Sequence, residues 1–181
     1  MKKRTLRHEI VDSLREIIFG LEDSLVSTLG AITGIAVGAG SQYIVILSGL
    51  VLIAAEGMSM AAGSYLSSKS AAQAEEAFHQ NGPAQEATKP VRAAAVMGVF
   101  YFLGGFVPLF PYFILDVRTA ILPSVVATAL VLFLVGAWAA TYTKRSKIRS
   151  GLEMMFVSLA AAGVGYLIGR AVATFFGVEV S

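Results

Sequence analysis

Residues 24–55 read SLVSTLGAITGIAVGAGSQYIVILSGLVLIAA, an apolar run without a single Asp, Glu, Lys or Arg. A bilayer needs about 20 such residues for one helical crossing, so this run is too long for one ordinary span. Its turn signal is Gly38-Ala-Gly-Ser-Gln42, where glycines and a serine permit a tight reversal. The run therefore predicts two antiparallel crossings, at about 17–40 and 43–66, joined as a helical hairpin. Residues 93–115 and 119–143 are also uncharged and each long enough to cross. Spans at about 91–113, 119–142 and 151–176 complete an all-α integral membrane protein with five transmembrane helices. The two prolines of Pro108-Leu-Phe-Pro-Tyr112 are expected to break the third helix near the far interface, with Asp116 and Arg118 marking the water beyond it.

Composition agrees with that reading and narrows the function. Of 181 residues 56% are hydrophobic and 14% charged, against about 25% charged in an ordinary soluble domain. Five spans use roughly 100 residues, so residues 1–181 form a single membrane domain with no room for a separate soluble catalytic domain. With no cysteine, disulfides, thiolate metal sites and thiol nucleophiles are excluded. Residues 1–16 mix Lys2, Lys3, Arg4 and Arg7 with Glu9, Asp12, Arg15 and Glu16, which is not the pattern of a cleavable signal peptide. Leu6, Ile10, Leu14 and Ile17 recur at helical spacing and predict an N-terminal amphipathic helix, lying on the membrane surface or against the bundle. Residues 67–90 are polar and read as a cytoplasmic loop with at most one short helix. Twelve of the fourteen Lys and Arg fall on the side of the N terminus, the exceptions being Arg118 and Arg170. The positive-inside rule then makes the N terminus cytoplasmic. Topology accounts for the basic residues, so nucleic acid is not an expected partner and the lipid bilayer is.

An ionisable side chain inside a span is a functional candidate by default, because it must be paired, hydrated or metal-bound. Asp23 lies about 9 Å into span 1, counting 1.5 Å per residue. Met60 lies equally far from the cytoplasmic end of span 2, and Glu56 is one turn deeper on the same face. Asp23, Glu56 and Met60 thus form a ladder from the cytoplasm toward the midplane, flanked by the hydroxyls of Ser27, Thr28, Ser59 and Ser64. Hard oxygens with one soft sulfur suit a borderline divalent metal such as ferrous iron or manganese better than calcium or magnesium. A carboxylate in such a site holds either a proton or a cation, which offers a means of coupling the two. Glu22 is a further pathway candidate, although it points about 100° away from Asp23 around the helix. Methionines at helical spacing are commonly packing residues, and Met58 is read that way.

Outside the spans, Glu76 and His79 have the Glu-x-x-His spacing of carboxylate di-iron sites, with Glu75 beside them. A second such motif is missing. The group is read first as a solvated helix face, with weak cytoplasmic metal capture as the alternative. Gly30, Gly34 and Gly38 form a small-residue stripe on span 1, and Ala161, Gly165 and Gly169 another on span 5. These are packing surfaces, within the bundle or between subunits.

Taken together, Phe19-Gly-Leu-Glu-Asp-Ser-Leu-Val-Ser-Thr-Leu-Gly30, Ala55-Glu-Gly-Met-Ser-Met-Ala-Ala-Gly-Ser-Tyr-Leu-Ser-Ser-Lys-Ser70, Pro108-Leu-Phe-Pro-Tyr112 and Tyr166-Leu-Ile-Gly169 resemble the vacuolar iron transporter family. The resemblance covers nearly the whole chain. It implies a five-helix homodimer that moves ferrous iron, and often manganese, out of the cytoplasm in exchange for protons. The family's pathway aspartate falls on Asp23 and its pathway methionine on Met60. The chain departs where many members have Gly-Glu-Tyr, having Gly63-Ser64-Tyr65, and Glu56 supplies a carboxylate two turns earlier. Ser24 follows the aspartate where glycine is common. The long acidic domain that plant members insert between spans 2 and 3 is reduced here to about 25 residues.

The expected function is a homodimeric, proton-coupled exporter of divalent metal, with no permanently bound cofactor and no enzymatic activity. A membrane ferroxidase would need more than His8 and His79, both outside the spans. The alternatives are a metal-binding scaffold or sensor without flux, and a passive divalent-cation channel. The expected location is a prokaryotic plasma membrane.

Overall fold

A computed structural model describes residues 10, 11, 13–78 and 89–176. Its helices are α1 (Leu14–Ala39), α2 (Gln42–Phe78), α3 (Pro90–Leu109), α4 (Val117–Thr143) and α5 (Lys147–Phe175), with a one-turn 3-10 helix at Phe110–Phe113. Among the described residues these five are long and apolar enough to cross a membrane. Most of the predicted amphipathic helix at 1–16, and His79 with the loop that follows it, lie outside the described residues.

The hairpin reverses at Gly40, which takes the left-handed conformation (φ 59°) that a side chain disfavours. Its N–H donates to the Ala36 carbonyl at 3.2 Å and closes α1. Residues 67–78, expected to begin a hydrophilic loop, instead continue α2. The reason is local: SSKSAAQAEEAF holds alanines, Glu, Gln and Lys but no Gly or Pro, so nothing in it stops a helix. Its polarity marks where an apolar surface ends, which is a different boundary. At 37 residues and 1.5 Å per residue, α2 is about 55 Å long, well beyond a hydrocarbon core of about 30 Å.

Pro108 does not break α3, which runs one residue past it before the 3-10 turn that contains Pro111. The Ser124 hydroxyl, fully buried on α4, donates to the Pro108 carbonyl at 2.6 Å. Ser124→Ala should lower stability by about 0.5–1 kcal/mol, the usual worth of a hydrogen bond between membrane helices, measurable as a reduced unfolding midpoint in detergent. Gln42 donates from Nε2 to the Tyr112 carbonyl at 2.7 Å and ties the start of α2 to the 3-10 turn that follows α3. Ile32, Ala36, Val45, Ile53, Leu109, Val117 and Ala120 form the buried core at this end. At the opposite end Ser146 caps α5, and Glu153 accepts from Arg145 and Arg149, each at 3.2 Å.

The centre of the bundle is α1, which packs on α3 and α5 with all three running in one direction. Small residues set those distances. A Cβ on Gly30 would stand 3.2 Å from the Ala161 carbonyl oxygen, one on Gly34 2.8 Å from that of Gly165, and one on Gly38 3.3 Å from that of Gly169. The two small-residue stripes therefore meet each other inside one chain, in a parallel register of one turn per step. On its other side α1 approaches α3 through Gly20, where a Cβ would lie 3.0 Å from the Met97 carbonyl. This close seating orients α1, and with it the residues of the candidate site.

Candidate metal pathway

Three helices converge on one carboxylate. Glu56 of α2 accepts a hydrogen bond at Oε2 from the Ser27 hydroxyl of α1 at 3.0 Å, and another from the phenol of Tyr101 of α3. The Ser27 and Tyr101 oxygens are themselves 3.0 Å apart. Three polar oxygens thus form a closed triangle, and Tyr101 is fully buried.

The Ser27–Glu56 bond also sets the register of the antiparallel α1–α2 pair. One turn toward the N-terminal side, Asp23 comes level with Met60, and two turns further Glu16 comes level with Ser67. Asp23 is half-buried and near enough to Glu56 and Tyr101 for its charge to act on both. Met60 lines a cleft of about 310 Å³ between α1, α2 and the start of α3, together with Ser59, Ser64 and Glu16. Moving inward, the chain offers the Met60 thioether and the Asp23 carboxylate at one level, then the Glu56 cluster.

The other candidates separate from this group. Glu22 turns to the opposite side of α1 and lines a cavity with Arg145, Glu153 and Met154. Thr28 is fully buried with its hydroxyl unpartnered and does not join Ser27 at Glu56. Glu75 and Glu76 sit on the last turns of α2, and their suggested companion His79 lies outside the described residues. Among the described residues, no three Asp, Glu, His or Cys side chains gather as a metal-holding group. One chain brings two carboxylates and a sulfur to the path, fewer ligands than a divalent ion takes.

Tyr101 was not anticipated from the sequence, where it stands between Phe100 and Phe102 and resembles packing. Depth counting would have found it, since it lies about as far from the start of α3 as Glu56 lies from the polar part of α2. Glu16 was likewise counted only as a surface charge of an amphipathic helix, yet it is 7% exposed.

The described residues thus form a helical bundle with five helices apolar enough to cross a membrane and with acids and a thioether aligned along one hairpin. The chain belongs to the VIT family, whose model matches residues 14–82 and 77–170. It is 24% identical over 214 aligned positions to vacuolar iron transporter 1 of Arabidopsis thaliana, covering 88% of this chain and 86% of that one. Vacuolar iron transporter homolog 1 of the same plant is 29% identical over 167 positions, covering 89% and 84%. An uncharacterized protein of Methanocaldococcus jannaschii is 27% identical over 170 positions, covering 87% and 88%.

Proposed function

We propose that this protein is a homodimeric antiporter that exports a borderline divalent metal, ferrous iron first and manganese second, from the cytoplasm in exchange for protons. The observation that carries the reading is the Ser27–Glu56–Tyr101 triangle beside Asp23, with Met60 one turn nearer the N-terminal side. Glu56, held by its two hydroxyl partners, is the proposed coupling carboxylate, because metal and proton compete for the Asp23 and Glu56 pair. Met60 supplies the soft ligand that favours iron over calcium or magnesium. Since one chain offers an incomplete ligand set, a second copy related by a two-fold axis completes it. The names of the plant relatives agree with iron as cargo. The distribution of Lys and Arg supports a cytoplasmic N terminus, and the membrane is a prokaryotic plasma membrane.

The test is metal uptake into proteoliposomes holding the purified protein with its N-terminal face outward, under anaerobic conditions with ferrous iron. An acidic lumen should accelerate uptake, because protons leaving the lumen drive metal in. Glu56→Gln should retain downhill metal flux but lose that acceleration. Flux indifferent to the gradient in the wild type would identify a passive channel, and saturable binding without flux a scaffold or sensor.

A further inference from the structure

We infer that Glu16 and Met97 form a separate metal-capture station at the N-terminal end of the path, before Met60, Asp23 and Glu56. The station rests on the transport reading for its purpose but not for its existence. Glu16 is 7% exposed, and its Oε2 has no hydrogen-bond partner. It lines the 310 Å³ cleft that also holds Met60 and Met97, with Ser59, Ser64 and Ser67 as further oxygens. A buried carboxylate oxygen left without a donor is unfavourable unless a cation or a proton satisfies it. The cleft supplies what a cation needs around it, while Arg15 and Phe19 line its edge.

Met97 makes the station more than an unpaired acid. Gly20 lies one turn beyond Glu16 on the same face of α1, and the space left by its missing side chain is taken by α3. The Met97 sulfur lies 3.4 Å from where a Gly20 Cβ would be. Met97 is itself 6% exposed, so its sulfur is held against α1 rather than free in solvent. A thioether with a carboxylate makes a softer ligand set than the deeper Asp23 and Glu56 carboxylates alone. Such a set favours ferrous iron over manganese, calcium and magnesium, so selection occurs here and proton exchange deeper. The serine hydroxyls line the remaining wall and complete the coordination with water.

The experiment is equilibrium dialysis of ferrous iron and of manganese, anaerobically, against the full-length protein in detergent, alongside flux in proteoliposomes. Glu16→Gln should weaken ferrous iron binding about tenfold, and Glu16→Asp should restore most of it. Met97→Leu, nearly equal in volume, should weaken iron several-fold while leaving manganese unchanged, and should raise the KM for iron with little effect on maximal rate. Wild-type affinity and KM in both Glu16→Gln and Met97→Leu would overturn the station. If the variants lose binding while the wild type shows no flux, the station stands and the transport reading falls. If Asp23→Asn abolishes flux while the station variants behave as wild type, the reverse holds.

Discussion

Gly165→Leu is expected to abolish the native bundle, with a loss of about 3 kcal/mol or more, the upper range for forcing bulk into a close-packed interior. At Gly165 an added Cβ would collide with the Gly30 backbone carbonyl of α1, which cannot rotate away as a side chain could. Relief requires α1 and α5 to move apart along the whole stripe, since Gly34 and Gly169 are in the same contact one turn on. Such separation would remove the support that holds Asp23 and Ser27 toward α2. The outcome should be aggregation on size-exclusion chromatography, or a sharply lowered unfolding midpoint. Gly163→Leu is the control: nothing lies within 4 Å of a Cβ there, so the midpoint should stay close to that of the wild type. Equal behaviour of the two variants would remove the seam as the organiser of the fold.

Asp23→Asn is expected to reduce metal flux about 10- to 100-fold, the range seen when a group supporting a metal site is lost, while leaving the bundle folded. The amide keeps the size of the side chain and removes its charge, in a position only half-buried. Met60→Leu should act in the same direction with a smaller loss, since leucine conserves volume and only the sulfur disappears. Circular dichroism and elution volume should match the wild type in both. Flux at wild-type rates in Asp23→Asn, in folded protein, would remove the pathway from this face of α1.

The two variants probe different kinds of information. Asp23, Glu56 and Met60 were legible because a charge or a thioether in an apolar run stands out, and because depth along a helix follows from counting residues. The Ser27–Glu56 bond has the register that such counting gives. Tyr101 and Glu16 were less legible, each for its own reason. A tyrosine between two phenylalanines has the composition of a packing residue, and only the approach of α3 to α2 turns its hydroxyl into a partner for Glu56. An acid in an amphipathic segment has the composition of a solvated face, and only the seating of α1 against α2 and α3 buries it. The extent of α2 was misjudged because polarity was used as a helix boundary, whereas residues 67–78 keep every backbone requirement of a helix.

From its own order of residues the chain determined five apolar rods, the reversal at Gly40, and the depth of each charged or sulfur-bearing group. These are local properties, fixed by hydropathy over one span, by backbone sterics at one glycine and by a constant rise per residue. Which faces meet was decided only in three dimensions. Small residues on α1 could equally have served a contact between subunits, and they are consumed by α5 because parallel glycine stripes allow two backbones to approach more closely than any side chain would. That approach rotates α1 so that Asp23 and Ser27 turn to α2 and Glu22 turns away, a choice between adjacent residues that no linear pattern contains.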